Sequence, residues 1–373
     1  MSTTSETLQS VETKSVELFG TRPLSLDCGR TLAPVTVAYE TYGELNEDRT
    51  NAVLICHALT ANAHAASTHA SDGKEPGWWD GLIGPGKALD TDRFFAVCPN
   101  ILGSCYGTTG PRSIDPATNR PYRLTLPTIT VRDIVRVQKE FLDILGVRKL
   151  TAVIGSSLGG MQVLEWGILF PEFCTSIIPI STSAKQSAWC IGLNSAVRAA
   201  ITGDPRWDGG NYDEQPAVGL SVARMIGMLS YRTPRELEER FGRNRQHEGG
   251  DVFDLENEFQ IESYLRHQGK KLADRFDANT YLYLSRAMDL HDVTLGRGSL
   301  KRALGSISSP ALCVGVSSDI RYPTHEQKEL VRYIPNARYA EIDSIHGHDA
   351  FLIEFGQLNE LVREFLDRVP TSV

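Results

Sequence analysis

Short apolar runs rich in β-branched residues alternate with longer stretches of helical period along most of this chain. The runs Val35–Glu40, Ala52–Cys56, Phe94–Cys98, Thr151–Ile154 and Ser176–Ile180 read as strands, and a helix is expected from Val131 to Leu145, closed by Gly146. A second region resumes the alternation near Ser308. It offers strands at Ala311–Val316 and Ala337–Ile342 and a closing helix from about Ala350 to Arg368. Continuous apolar strands alternating with helices predict an α/β fold with a mainly parallel sheet covered on both faces.

Residues 184–306 read differently. Strand signals nearly vanish, and helices are expected over Ser187–Ile201, Gln215–Ser230, Thr233–Phe241 and Glu258–Phe276, with Thr233 as cap and Pro234 in the first turn. Asp251-Val252-Phe253 and the Gly249-Gly250 pair read as loop. The expected organisation is a core of residues 15–183 and 307–373, a helical lid inserted at 184–306, and a flexible start over 1–14.

The strand at 150–154 runs into Gly155-Ser156-Ser157-Leu158-Gly159, and a helical pattern follows at once. Strand, sharp turn and helix with a serine at the apex form the nucleophile elbow of an α/β-hydrolase. A serine hydroxyl needs a base to take its proton and an acid to orient that base. In this fold the order along the chain is serine, acid, histidine. Asp319 follows the strand at 311–316, and His348 follows the strand at 337–342, so both are expected at the strand edge that carries Ser157. His346 is an alternative base, and Asp343 and Asp349 are alternative acids. The oxyanion of a tetrahedral intermediate needs two N–H donors: Leu158, next to the nucleophile, and Leu59, in the loop after the strand at 52–56. A second Gly-x-x-x-Gly, Gly103–Gly107 with Cys105 at its centre, runs into Thr108-Thr109-Gly110-Pro111, which does not continue as a helix. It reads as a pocket-lining loop. No metal is expected: the spacings of His57, His64 and His69 and of His346 and His348 complete no ligand set.

Composition narrows the setting. The 373 residues carry a formal net charge of −8, which argues against broad nucleic-acid binding. No apolar stretch is long enough to span a membrane, and the start lacks a secretory pattern. Seven cysteines without a C-x-x-C pair read as reduced thiols of a cytoplasmic protein.

The chain resembles the homoserine O-acetyltransferase family from about residue 15 to 368. The resemblance rests on Asn51–Thr60, Gly77-Trp78-Trp79-Asp80, Gly107–Pro111, Thr130–Asp133, Gly155–Gln162, Arg224-Met225-Ile226-Gly227, Leu229–Thr233, Ser318-Asp319 and Gly347–Leu352. It implies acyl transfer from acetyl-CoA, as co-substrate, to the hydroxyl of L-homoserine in methionine biosynthesis. No permanently bound cofactor is implied. Succinyl donors, a serine acceptor, or water as in an esterase or thioesterase are the alternatives. The resemblance puts the nucleophile on Ser157, the acid on Asp319 and the base on His348. It implies that Arg224 and Asp349 hold the amino-acid substrate; without it, Arg224 reads as a surface arginine and Asp349 as a helix cap. The family often has glycine at Ala61, and Asn119 and Arg123 also depart from its pattern. A homodimer through the helical lid is implied, with Val218, Val222, Met225 and Leu229 as the candidate apolar face.

Overall fold

The computed structural model describes residues 10–69, 75–247, 253–255 and 257–369. The first nine residues of the expected flexible start, the Gly249-Gly250 pair, Asp251 and Val252 lie outside the described residues; Phe253 lies in a turn.

Eight strands form the main sheet: β1 (Lys14–Leu18), β2 (Val35–Tyr42), β3 (Ala52–Cys56), β4 (Phe95–Pro99), β5 (Leu150–Ser156), β6 (Ile177–Ile180), β7 (Ala311–Val316) and β8 (Ala337–Ile342). Their spatial order is β1-β2-β4-β3-β5-β6-β7-β8. β1 and β2 pair antiparallel with their neighbours, and all pairings from β4 through β8 are parallel. Every residue of β3 and of β7 is buried. Period-two alternation explains why strands so apolar suit this place: Leu54 and Cys56 pack into one hydrophobic cluster, Val53 and Ile55 into the other, on opposite sides of the sheet.

Two helices of the first core segment flank the sheet, α1 (Val131–Ile144) and α2 (Leu158–Leu169). Thr130 and Asp133 close a capping box at the start of α1, and Gly146 follows its end at φ +76°, as the sequence predicts. Buried Glu165 in α2 binds Arg132 of α1 at 3.2 Å and Arg297 at 2.6 Å. One carboxylate thus ties both core helices to the segment that leads back into the core.

Between β6 and β7 the chain passes through α3 (Ala188–Thr202), α4 (Ala217–Tyr231), α5 (Pro234–Phe241), α6 (Gln260–Ala273), α7 (Ala278–Asp289) and α8 (Leu300–Leu304). Thr233 caps α5 through its side chain, with Pro234 in the first turn. α4 packs against both α3 and α6. The buried cation Arg321, two residues beyond Asp319, joins this helical segment to the core: it donates to Ser230 Oγ on α4 at 2.9 Å and to Asn194 Oδ1 on α3 at 3.4 Å.

The core ends with α9 (Thr324–Tyr333) and α10 (Phe355–Arg368). The closing helix therefore starts later than expected. Residues Gly347–Leu352 form a 3₁₀ turn instead, and Glu354, not Asp349, occupies the cap position of α10. The Phe351 carbonyl accepts from Trp79 Nε1 at 3.1 Å. The bond anchors this 3₁₀ turn to the buried Trp79.

Candidate active site

Ser157 stands between β5 and α2 with φ +57° and ψ −122°, a conformation that costs a non-glycine residue energy and holds its side chain at the apex of the turn. The flanking glycines are required by space. A Cβ at Gly155 would lie 2.6 Å from the Cys56 carbonyl oxygen, and one at Gly159 would lie 1.9 Å from it. The elbow thus presses directly on the end of β3.

His348 Nδ1 lies 2.7 Å from Asp319 Oδ2, and both groups are buried. The other carboxylate oxygen of Asp319 accepts the N–H groups of Arg321 at 2.8 Å and Tyr322 at 3.1 Å. Asp319 is fixed on both sides, so it fixes the imidazole in turn. The Tyr322 and Phe351 rings stand 5.2 and 5.3 Å from that of His348. With Nδ1 engaged, Nε2 is the ring nitrogen left for chemistry. Ser157 and His348 line one cavity of about 440 Å³, together with Leu59, Arg224, Tyr231 and Asp349. Ser157, Asp319 and His348 thus lie at the carboxyl ends of β5, β7 and β8, with His348 in contact with Asp319 and on the cavity wall it shares with Ser157. Of the alternatives, His346 Nδ1 lies 3.2 Å from Glu236, and Asp343 accepts from Ser317 at 3.1 Å.

Of the two expected oxyanion donors, Leu158 follows Ser157 directly in the elbow, and Leu59 lines the cavity that Ser157 lines. Leu158 is the first residue of α2, where an amide has no acceptor within its own helix. Leu59 lies in the loop after β3, which is braced by groups the sequence reading did not use. Buried His57 accepts from the Ile101 N–H through Nε2 at 3.0 Å, so its proton resides on Nδ1, which donates to the Ala58 carbonyl at 2.8 Å. Burial pushes the His57 pKa down to about 4, in keeping with a neutral ring. Gln162 of α2 donates to the His57 carbonyl at 3.2 Å and accepts from Gln138 at 2.7 Å, which in turn accepts from Trp166 Nε1 at 2.8 Å. This chain of amides sets the distance between the loop and the elbow helix.

Arg224 and Asp349 both reach the cavity. Arg224 stacks on the Tyr231 ring, 5.3 Å from its centroid, and Arg321 lies 5.1 Å from the same ring. Asp349 pairs with Arg232 Nε at 3.1 Å, and Arg232 also binds Glu236 at 2.8 Å. Arg232 was not among the residues singled out from the sequence. Burial raises the Asp349 carboxyl above its usual range, while the charges of Arg232, Arg224 and His348 oppose the rise.

Cys105 is no rival nucleophile: burial pushes its thiol up to about 11, where little thiolate forms. The loop it belongs to contributes Pro111 and Arg112 to a neighbouring cavity. Arg123 lines the same cavity and binds Asp213 at 2.6 Å.

One cluster was not foreseen. Buried Glu40 accepts from His64 at 2.9 Å, His69 at 2.8 Å, the Tyr42 hydroxyl at 2.9 Å and the Thr13 hydroxyl at 2.8 Å. Burial works against its charge, but the hydrogen bonds from His64, His69 and Thr13 outweigh it and bring the pKa to about 2. The ligand atoms of Glu40, His64 and His69 lie within 4.8 Å of one another, close enough to hold a cation. They come together because β2 places Glu40 beneath the loop that carries both histidines, a proximity no local spacing encodes.

A family model described as the alpha/beta hydrolase fold matches residues 51–354. A curated homoserine O-acetyltransferase of Moorella thermoacetica is 52% identical over 349 residues, covering 92% of this chain and 93% of its own. Among solved structures, homoserine O-acetyltransferase from Bacillus anthracis matches with a TM-score of 0.91 at 32% identity, covering 98% of this chain and all of that one. Esterase E22 matches with a TM-score of 0.87 at 30% identity, covering 95% of this chain and 100% of that one.

Proposed function

The chain belongs to the homoserine O-acetyltransferase family within the α/β-hydrolase fold, and on that premise we infer that it moves the acetyl group of acetyl-CoA to the side-chain hydroxyl of L-homoserine, a step of methionine biosynthesis. The observation that carries the chemistry is the Asp319–His348 contact of 2.7 Å at a cavity shared with Ser157.

His348 Nε2 takes the proton of Ser157, whose Oγ attacks the thioester carbonyl. The oxyanion is held by the N–H groups of Leu158 and Leu59. The intermediate collapses, the C–S bond breaks, and the proton passes from His348 to the departing thiolate of CoA. Homoserine then enters. Its hydroxyl gives a proton to His348 and attacks the acetyl-Ser157 ester, and the ester bond to Ser157 breaks as the serine recovers its proton. Arg224 takes the α-carboxylate and Asp349 the α-ammonium of homoserine, in keeping with an arginine fork and a carboxylate on one cavity wall. The helices between β6 and β7 serve as the lid, since α4 supplies Arg224 and Tyr231 to the cavity. These side chains supply the chemistry without a resident cofactor or metal.

The reading includes a homodimer through the lid. Val218, Val222 and Leu229 are 67%, 40% and 50% exposed and form one stripe on α4 with Met225. It also places the protein in the cytoplasm. Seven unpaired cysteines fit a reducing compartment, and among the described residues no helix is long and apolar enough to cross a membrane.

A second reading, transfer of the acyl group to water, is favoured by the likeness to esterase E22. Product analysis separates the two. With acetyl-CoA and homoserine, O-acetylhomoserine should form mole for mole with free CoA, and Ser157→Ala should lower kcat by roughly 10³-fold or more. CoA release at the same rate without homoserine would assign the protein to the hydrolases.

A further inference from the structure

We propose that Arg112, Lys271 and Arg275 form the seat for the phosphate groups of the acyl-CoA donor; this rests on the acetyl-CoA reading above. Two cavities meet at Arg275. One is the catalytic cavity, where Lys271 also lies on the wall. The other, of about 400 Å³, is lined by Arg112, Arg123, Gln215 and Asn279 among others. Arg275 lines both. It follows the C-terminus of α6, and its Nη1 donates to the Thr60 carbonyl at 2.8 Å and the Tyr106 hydroxyl at 2.6 Å. The partition between the cavities is thus in part a guanidinium with further N–H donors to spare.

The charge inventory leaves these cations for a ligand. Among the described residues, three carboxylates line the second cavity. Asp213 is paired with Arg123 at 2.6 Å and Asp274 with Lys270 at 2.5 Å. Asp277 accepts from the Tyr212 hydroxyl at 2.6 Å and the Thr280 N–H at 2.8 Å. In the catalytic cavity, Asp349 is held by Arg232, and among the described residues Glu75 is the other carboxylate on the wall. Among the described residues, Arg112, Lys271 and Arg275 have no carboxylate within 4.0 Å. Three such cations along two cavities that adjoin at Arg275, on a chain of formal net charge −8, concentrate positive potential beside the catalytic cavity.

The donor has the matching layout. Its thioester must reach Ser157, and its neutral arm is slender. Its pyrophosphate and 3′-phosphate sit at the far end, well away from Ser157, where the second cavity adjoins the first at Arg275. Arginine forks suit phosphate oxygens, and lysine adds a point charge.

The test compares acetyl-CoA with acetyl-pantetheine, a thioester without phosphates, at saturating homoserine. For Lys271→Ala and Arg112→Ala, kcat/KM for acetyl-CoA relative to that for acetyl-pantetheine should fall about tenfold each, through KM. A tenfold change corresponds to about 1.4 kcal/mol, within the range of a charge-assisted contact. Raised salt should weaken acetyl-CoA use by the wild type more than by Lys271→Ala. Arg275→Ala should show the same donor preference, added to a kcat loss with both donors because its bond to the Thr60 carbonyl braces the loop of Leu59. An unchanged ratio in both Lys271→Ala and Arg112→Ala would overturn the assignment. A wild type that acetylates homoserine from neither thioester would instead overturn the functional reading beneath it.

Discussion

Arg232 Nε stands 3.1 Å from a carboxylate oxygen of Asp349, the residue directly after His348. The same guanidinium binds Glu236 at 2.8 Å, in the first turn of α5. The proposed ammonium site is therefore pre-charged and pre-oriented by an arginine that need not touch homoserine. Removing it leaves the Asp349 carboxyl freer to hold its proton, because burial then acts with less opposition.

Arg232→Gln should accordingly raise KM for homoserine by about tenfold while KM for acetyl-CoA stays within about twofold, a cost of about 1.4 kcal/mol. The penalty should grow as pH falls, since the protonated acid cannot pair with an ammonium. Initial rates across pH 6–9 with each substrate varied would check this. Equal rises in both KM values would mean that Arg232 only supports the fold.

Gln162 links the elbow helix to the His57 carbonyl at 3.2 Å. Gln162→Leu keeps the bulk and removes the donor. It should lower kcat by roughly 10- to 100-fold with both KM values little changed, because a misplaced Leu59 N–H costs transition-state rather than substrate binding. Steady-state kinetics with a thermal melt would separate this from unfolding.

Glu326 predicts a pH signature in stability. Burial first, then the negative charges of Asp319 and Glu329, push its pKa up to about 8, and its Oε2 is buried without a hydrogen-bond partner. Below the ordinary glutamate value of 4.5 both folded and unfolded states hold the proton. Between that value and about 8 only the folded state holds it, so stability falls as pH rises, and the penalty is complete above the folded pKa. Glu326→Gln removes the titration. It should stabilise the protein at pH 9 by on the order of 1–2 kcal/mol after allowance for partial exposure, and hardly at all at pH 4. Denaturant unfolding at both pH values would test it; a gain of the same size at pH 4 would contradict the assignment.

Much of the site was legible because the signals are local. The five residues 155–159 announce a strained turn, and the structure gives Ser157 a φ of +57°. Asp319 follows the fully buried apolar run Ala311–Val316, and His348 lies just beyond the edge strand Ala337–Ile342, whose side chains are mostly exposed or half-buried. Period and capping likewise placed β3 over Ala52–Cys56 and the start of α5 after Thr233. What stayed hidden is long-range. Arg321 reads as one more charged residue after a strand, yet it is buried and joins α3 and α4 to the core. Glu40 looks like a solvent-facing position in an alternating strand until His64 and His69 close over it. The closing helix starts later than its pattern predicts, and the turn before it is held by Trp79, whose Nε1 donates to the Phe351 carbonyl across 272 positions, a contact no window of sequence contains.

The account's central claim is a covalent one, and mass spectrometry of the protein quenched after exposure to acetyl-CoA alone tests it most directly. The prediction is an acetyl group on the peptide that carries Ser157. It should disappear on addition of homoserine, be absent in Ser157→Ala and form far more slowly in His348→Ala. Normal turnover with Ser157 never acetylated under any quench would contradict the account.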